Sequence, residues 1–279
     1  MAVQSSHRES HYPFEMSFLS AGAMGLVSDV TRVATLGTNS DITVINVLED
    51  VWSGSSLGIL NAIDHKILQV PQSPDTVEVV SSSVNDTSAG TGLRTMLVSY
   101  LDSTYTAKTT VITMNGTTPV AFPETIMAVN AMVRLTTGTF MGTNLGNVSL
   151  RVAGGAGATY GYMQIGTGFF KTSAYTVPLG YSLMVNSVIF GINRTDKLER
   201  WGRFTLPIMT AAGAVVKALD LSVSTFGPYR QEADGSPVVV VPEKNTVWVT
   251  CEAVSDVSTS VFAGINGLAI KNTRLIVGN

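Results

Sequence analysis

The stretch Thr76–Phe122 reads TVEVVSSSVNDTSAGTGLRTMLVSYLDSTYTAKTTVITMNGTTPVAF, and it decides the fold class. Within Val77–Ser82, the set Val77, Val79 and Ser81 alternates with the intervening residues at the two-residue period of a β-strand. Leu93–Asp102 is predicted to be a second strand, and a polar turn at Ser103–Tyr105 separates it from a third strand at Ala107–Met114.

The dipeptide Asn115-Gly116 follows the third strand. A two-residue type I′ turn requires positive φ at both central positions, and Asn-Gly is the pair that tolerates this best. The dipeptide therefore predicts a tight hairpin. Three or four strands rich in β-branched residues and joined by such turns predict a β-meander. We therefore predict that the chain around them is also all-β.

Similar strand-like runs recur at roughly 8–12 residue spacing in the rest of the chain, which is typical of sandwiches and jelly rolls rather than of alternating strands and helices. The runs are Val30–Leu36, Asp41–Leu48, Thr125–Leu135, Asn147–Val152, Ala158–Ile165, Phe169–Tyr175, Ser182–Asn193, Arg200–Met209, Val215–Ser224, Thr246–Ala253 and Val261–Ile270. We predict an all-β fold with two antiparallel β-sandwich or jelly-roll-like domains preceded by an N-terminal arm. The predicted division is an arm and docking segment (1–70), a β-sandwich domain (71–170) and a β-sandwich or jelly-roll domain (171–279).

Composition favours a protein that packs against neighbouring subunits. Charged residues make up only 13% of the chain and hydrophobic residues 45%, so much of the surface is formed by Ser, Thr, Gly and Asn. The net charge of −3, without a Lys/Arg cluster, predicts no nucleic-acid partner. No apolar run approaches the roughly 20 residues of a membrane-spanning helix, and no signal-peptide pattern is evident. We therefore expect no membrane insertion, and synthesis and assembly in a cytoplasm.

The sequence offers little support for a catalytic or metal site. His7 and His11 have the spacing of metal ligands on a helix, but they lie in a polar terminal segment without a third ligand nearby. His65 is the only histidine inside the predicted fold, and no nucleophile elbow accompanies it. Cys251 is the single cysteine and is predicted to be a small buried hydrophobe. We predict no catalytic residues, no cofactor and no metal, although a pair of carboxylates distant in sequence stays open as a glycosidase arrangement.

Three segments resemble ligand sites only superficially. Asn85–Gly92 is rich in glycine, but it lacks the Gly-Lys-Ser/Thr ending of a phosphate loop and no helix follows it. It is more typical of Asx and Ser/Thr turns with glycine at positive φ. Glu49-Asp50 and Glu232-Ala233-Asp234 carry carboxylates that Ca²⁺ accepts, but they lack EF-hand spacing and are more typical of exposed loops.

Several motifs resemble a family of virion structural proteins from tailed bacteriophages, and the resemblance spans Asp41–Asn279. They are Glu49-Asp50-Val51-Trp52, Val77-Glu78-Val79-Val80-Ser81-Ser82-Ser83, Asn85–Gly92, Met114-Asn115-Gly116-Thr117-Thr118-Pro119-Val120, Tyr175-Thr176-Val177-Pro178 and Val241-Pro242-Glu243-Lys244. After Trp52 the chain reads Gly54-Ser55-Ser56-Leu57, where the family usually has Gly-Gly and an aromatic residue. The resemblance implies a virion, tail or head-associated component without enzymatic activity.

The resemblance leads to a functional expectation. We expect an exterior tail or neck protein, a fibre or a fibre-attachment subunit, that forms a homo-oligomer and is located in the virion after assembly in the bacterial cytoplasm. Its expected partners are copies of itself, other virion proteins of the tail, portal, neck or capsid, and a receptor on the host surface. The predicted assembly-interface residues are Glu49, Asp50, Trp52, His7 and His11.

Two alternatives remain open. Within the structural class, the same features suit a capsid-decorating cement protein. In another class, the alternative is a protein that binds or cleaves carbohydrate at the host envelope, although Trp52, Trp201 and Trp248 are more typical of core or interface anchors than of a sugar platform.

Overall fold

The structure is a computed structural model that describes residues 42–52, 58–59, 69–139, 143–155, 157–170, 174–193, 200–224, 229–232, 237–255 and 260–274. In chain order the strands of these ranges are β1 (Ile42–Trp52), β2 (Gly58–Ile59), β3 (Val77–Ser81), β4 (Leu93–Asp102), β5 (Ala107–Thr113), β6 (Val120–Ala121), β7 (Ile126–Thr137), β8 (Val148–Val152), β9 (Thr159–Met163), β10 (Tyr175–Thr176), β11 (Tyr181–Asn193), β12 (Trp201–Met209), β13 (Val215–Ser224), β14 (Tyr229–Glu232), β15 (Val239–Val241), β16 (Thr246–Val247), β17 (Thr250–Val254) and β18 (Ser260–Lys271). A single 3₁₀ turn, Asn272–Arg274, follows β18. The predicted all-β class is confirmed.

These strands form antiparallel sheets that pair into two sandwiches. The N-terminal sandwich consists of the sheet β5-β4-β7 and the sheet β6-β3-β8-β9. The C-terminal sandwich consists of the sheet β1-β18-β11-β14, with β15 also on β11, and the sheet β10-β16-β12-β17-β2, with β13 on β12.

The core of the N-terminal sandwich lies between its two sheets and draws its buried members from residues 77–170. Met96, Val98 and Tyr100 of β4 point into this core, whereas the residues between them are partly exposed. This alternation follows from the period of the strand and gives β4 one apolar face. The ring of Tyr100 meets the ring of Phe122 edge to face, with centroids 4.9 Å apart.

The core of the C-terminal sandwich draws its buried members from residues 177–269. Phe190 of β11 and Phe204 of β12 stack across it, with ring centroids 5.2 Å apart, and so connect the two sheets. The strand β11 pairs with β18 on one side and with β14 and β15 on the other. The strand β11 therefore lies in the interior of its sheet.

Both strands within the described part of the segment 1–70 belong to the C-terminal sandwich. The strand β1 pairs with β18 along its whole length, from Ile42 opposite Ile270 to Trp52 opposite Ser260. The strand β2 pairs with β17. The predicted division at residues 70 and 170 stays a prediction.

The predicted meander is wrong in its connectivity. The strand β4 pairs with β5 and β7, but β3 pairs with β6 and β8 in the opposite sheet. Both edges of β3 are therefore occupied by strands that come later in the chain. The connection from Ser82 to Gly92 carries the chain from one sheet of the N-terminal sandwich to the other.

The predicted type I′ hairpin at Asn115-Gly116 is also wrong. Gly116 has φ of 63°, but Asn115 is not at positive φ. Asn115 forms an isolated bridge with Thr87, and the Gly116 N–H donates to the carbonyl of Asp86 at 2.7 Å. The turn is held against the preceding loop, and the next strand, β6, joins the other sheet instead of returning along β5.

The two sandwiches contact each other through the Asn130 side chain, which pairs with the backbone of Thr176 as a neighbouring strand would. The Asn130 amide donates to the Thr176 carbonyl at 3.0 Å and accepts from the Thr176 N–H at 3.1 Å. The Thr176 hydroxyl in turn lies 2.9 Å from that of Thr246. A further backbone bond joins the Leu179 N–H to the Tyr105 carbonyl at 2.8 Å. This reciprocal pairing fixes β7 against β10.

Candidate assembly surfaces

The residues predicted to form an assembly interface are only partly within the described ranges. Glu49, Asp50 and Trp52 lie in β1, where their backbones pair with Ala263, Phe262 and Ser260. The predicted residues His7 and His11 lie outside the described residues. The structure therefore places three of the five on one strand and leaves their interface role a prediction.

The candidate chemical groups do not converge in the described part of the chain. Among these residues there is no group of three or more His, Cys, Asp or Glu side chains that would hold a metal ion. His65 and Asp234 lie outside the described residues. Cys251 is buried, as predicted, and burial raises the pKa of its thiol to about 12, which keeps it protonated and unreactive at neutral pH.

The Asn85–Gly92 loop is built around a fully buried carboxylate, that of Asp86. One carboxylate oxygen accepts the N–H groups of Leu93 at 2.7 Å and Leu145 at 2.9 Å. The other accepts the Ser81 hydroxyl at 2.6 Å and the Gly146 N–H at 2.9 Å. Because four donors fill its accepting positions, Asp86 connects β3, β4 and the β7–β8 connection and is not open to a ligand.

The expectation of turns in this loop is confirmed, but the role assigned to its glycines is wrong. Gly90 and Gly92 are not at positive φ. They are required because a Cβ atom at Gly90 would lie 2.0 Å from the Asn85 carbonyl oxygen, and one at Gly92 would lie 2.1 Å from an Asp86 carboxylate oxygen. The glycines thus make room for the network around Asp86.

A second polar cluster lies at the β4–β5 turn. Lys108 forms ion pairs with Asp102 at 3.0 Å and with Glu124 at 2.8 Å. Glu124 also accepts a hydrogen bond from the Tyr100 hydroxyl. Burial and this hydrogen bond raise the pKa of Tyr100 to about 12. The cluster therefore pairs the one lysine of β5 with two carboxylates.

Asp102 in this cluster is ionised despite its burial. Burial alone would raise its pKa, but hydrogen bonds from Thr104, Lys108 and the Thr106 N–H outweigh that effect and hold the pKa well below its usual range. The Thr104 N–H and hydroxyl lie 2.8 and 2.7 Å from one carboxylate oxygen. Asp102 thus closes the turn that the sequence predicts at 103–105, where Tyr105 takes φ of 64°.

An aliphatic row crosses the outer face of the sheet β5-β4-β7. Leu97 of β4 lies between Val111 of β5 and Val133 of β7 in the strand register. Val111 is 54% exposed and Val133 43% exposed. Threonine and serine occupy neighbouring positions of the same face, such as Thr95 opposite Thr113. This apolar row, flanked by uncharged residues, is a candidate protein–protein contact.

A second exposed apolar site lies at the end of the β12–β13 hairpin. Val215 and Val216 are 54% and 60% exposed. The strands behind them carry ion pairs: Arg203 binds Asp220 with two bonds of 2.8 and 2.6 Å, and Lys217 contacts Glu252. The hairpin therefore has a charged face and an apolar tip.

Sequence reasoning missed these aliphatic sites and the role of Asp86. In the sequence, Thr109, Val111 and Thr113 alternate with Thr110 and Ile112, so the strand period places Val111 on the face opposite Ile112. Nothing local showed that Leu97 and Val133 lie beside it. The donors from Leu145 and Gly146 to Asp86 come from 59 and 60 residues away.

No protein-family model matches the chain, and neither does any curated protein. Within the described ranges, no helix could span a membrane.

Solved structures give weak likenesses. An arabinose-bound α-L-arabinofuranosidase is 13% identical, with 80% of this chain and 31% of that chain covered and a TM-score of 0.19. A structure of infectious bursal disease virus, Gx strain, is 9% identical, with 83% and 72% covered and a TM-score of 0.20. Infectious bursal virus derived T=1 particles give 10% identity, 86% and 83% coverage and a TM-score of 0.13. The chain thus spans less than a third of the arabinofuranosidase, and scores this low carry no functional argument.

Proposed function

We propose that this protein is a non-enzymatic structural subunit of a tailed-phage virion, on the exterior tail or neck, that works as a homo-oligomer. The observation that carries the proposal is the exposed Val111–Leu97–Val133 row on the sheet β5-β4-β7. The resemblance of the turn and strand motifs to virion proteins supplies the biological setting.

The first supporting step is the chemistry of this face. Interface centres are depleted in charge and enriched in apolar groups relative to other surfaces. The centre of this face is aliphatic, and the adjacent pairs Thr95–Thr113 and Ser99–Thr109 are uncharged. Such a face loses little solvation energy when another protein covers it.

The second step is the edge beside it. Within the described ranges β5 pairs only with β4, so its other edge presents unpaired N–H and C=O groups. An isolated lysine on an edge strand opposes further pairing, but Lys108 is held by Asp102 and Glu124. The edge is therefore suited to accept a strand from a neighbouring copy.

A pair of matched substitutions tests the proposal. Val111→Asp places a charge at the exposed β5 end of the row, and we expect it to dissociate the homo-oligomer and to prevent incorporation into particles. Val84→Asp is the control, because Val84 is 69% exposed and lies outside the row. Sedimentation velocity and incorporation into phage particles are the measurements. An oligomer unchanged by Val111→Asp contradicts the proposal.

The position on the particle needs a separate experiment. Labelling intact particles with an antibody against this protein should give signal at a single vertex if the protein belongs to the tail or neck. Signal over all capsid faces would instead identify a decorating cement protein, which the same surfaces would serve equally well. Particles without signal would remove the virion assignment.

A further inference from the structure

The outer face of the three neighbouring strands β17-β12-β13, turned away from the core of the C-terminal sandwich, carries an exposed tryptophan. Phe204 and Leu206 of β12 belong to that core. Because successive residues of a strand point to opposite faces, Trp201 and Arg203 lie on the outer face. Trp201 is 45% exposed, so it is not a core residue. Its backbone is held by two bonds of 3.0 and 2.9 Å with Ser255, and its aromatic surface is therefore presented to solvent from an ordered strand.

Four charged side chains on the same face hold one another in place, and we call them the charged network. They are Arg203, Lys217, Asp220 and Glu252. Arg203 binds both carboxylate oxygens of Asp220, at 2.8 and 2.6 Å. Its Nε also lies 3.9 Å from one carboxylate oxygen of Glu252, and the other oxygen accepts from Lys217. Two cations and two anions cancel, so the charged network carries no net charge.

Hydrogen-bonding capacity remains in the charged network. Within the described ranges, each carboxylate oxygen of Asp220 accepts one bond, from Arg203, although such an oxygen can accept two. Among the same residues, nothing is bonded to Nη1 of Arg203. Ser222, which lies opposite Arg203 in the strand register, is exposed. The face therefore offers donors and acceptors side by side, next to an aromatic surface.

We infer that this face binds a neutral saccharide, with a sugar ring stacked on Trp201 and its hydroxyl groups bonded to the charged network. A sugar ring has an apolar C–H face, which matches the negatively polarised face of an indole ring. Its hydroxyl groups both donate and accept hydrogen bonds, so they match a surface that offers both. Trp201 and Arg203 are two residues apart on one strand, a distance of about 6.6 Å. The hydroxyl groups of a ring on Trp201 are therefore within reach of Arg203.

The chemistry of the face separates a saccharide from two other occupants. The centres of protein–protein interfaces are depleted in charge, and a protein that covered the charged network would remove its water without replacing every bond. An anion such as phosphate is bound by an excess of cations, whereas the charged network has as many anions as cations. A neutral ligand rich in hydroxyl groups exchanges these waters bond for bond.

The charged network favours binding of the saccharide without cleavage. The hydrogen bonds from Arg203 lower the pKa of Asp220. The bond from Lys217 likewise lowers the pKa of Glu252. Neither carboxyl group is protonated at neutral pH, whereas hydrolysis of a glycosidic bond requires a carboxylic acid that donates its proton. The inference thus adds a ligand site to the C-terminal sandwich, and it does not depend on the proposed role in a virion.

Capture on a glycan array tests the site. The protein is first bound to a bivalent antibody against a tag, so that weak sites act together whatever its own oligomeric state. The probes are neutral oligosaccharides of hexoses and N-acetylhexosamines, with sialylated and sulfated glycans beside them. We expect neutral probes to capture the protein, with roughly tenfold weaker capture of Trp201→Ala. Trp201→Phe keeps an aromatic face and should lose less.

Phe169→Ala is the matched control, because Phe169 is also an exposed aromatic residue, at 41%, but lies beside Val133 in the N-terminal sandwich. Its capture should equal that of the natural protein. Three outcomes would overturn the inference: no capture by any neutral probe, equal capture of Trp201→Ala and the natural protein, and stronger capture by the sialylated or sulfated probes.

Two further measurements keep the test decisive. If Trp201→Ala fails to fold by circular dichroism, Arg203→Ala takes its place: it removes a donor of the charged network and should also weaken capture, and unchanged capture counts against the site. Sedimentation velocity shows whether Trp201 instead contacts another subunit. A homo-oligomer that dissociates in Trp201→Ala would assign this tryptophan to a protein contact and remove the saccharide site.

Discussion

Two carboxylates of the N-terminal sandwich and two of the C-terminal sandwich lie in opposite settings. In the N-terminal sandwich, Asp86 and Asp102 are buried and accept hydrogen bonds from backbone N–H groups. In the C-terminal sandwich, Asp220 and Glu252 have side chains 36% and 27% exposed and pair with cations that are themselves half-exposed. A buried carboxylate that accepts several backbone N–H groups determines where loops meet. Exposed ion pairs contribute little, because the register of their sheet is set by its core.

Removing the carboxylate of Asp86 should have the largest effect. In Asp86→Ala, the N–H groups of Leu93, Leu145 and Gly146 and the Ser81 hydroxyl lose their acceptor. We expect the free energy of unfolding to fall by roughly 3–5 kcal/mol, measured by urea denaturation followed by circular dichroism. Ser81→Ala removes one donor only and should cost less. A loss below about 1 kcal/mol for Asp86→Ala would show that this buried carboxylate does not organise the N-terminal sandwich.

Asp102 should give a smaller effect with a distinct pH dependence. Its pKa is lowered in the folded state, so its contribution to stability is present above the unfolded pKa of about 4 and is lost as the pH falls toward the folded value. Asp102→Asn should cost about 1 kcal/mol at pH 7. The difference from the natural protein in urea unfolding should narrow between pH 5 and pH 2. A difference that is constant across this range would show that the charge of Asp102 does not contribute.

The exposed ion pair should give the smallest effect. Arg203→Ala breaks the two bonds to Asp220, but both side chains are solvated and the pair is screened by salt. We expect the urea midpoint to move less than in either aspartate substitution, and to converge with that of the natural protein at high salt. A shift as large as that of Asp86→Ala, persisting in high salt, would show that the surface pairs also organise this fold.

Local pattern was enough to locate strands, because a two-residue period is a property of neighbouring residues. Leu93–Asp102 was predicted with the same bounds that β4 has, and Ser182–Asn193 lies within one residue of β11. The run 246–253 was predicted as one strand, but it divides into β16 and β17 around Trp248 and Val249, beside Pro207 of β12, which has no N–H to donate to the ladder.

Partners distant in sequence were beyond this reasoning. Nothing in the sequence near β3 shows that β6 and β8 occupy its two edges, so the meander was the simplest prediction and failed. Asn115-Gly116 was interpreted from its own preference, yet its geometry is set by contacts with Thr87 and Asp86. The aliphatic row likewise exists only once the register brings Val111, Leu97 and Val133 side by side.

The pairing of β1 with β18 has a consequence for biosynthesis. Ile42 and its partner Ile270 are separated by most of the chain. Contacts with such a large sequence separation form slowly. On a ribosome, the N-terminal sandwich is complete when residue 170 has emerged, but β1 must wait for its partner β18 to be translated. Until then its edge is open to other nascent chains, and a holding chaperone during this interval should improve the yield.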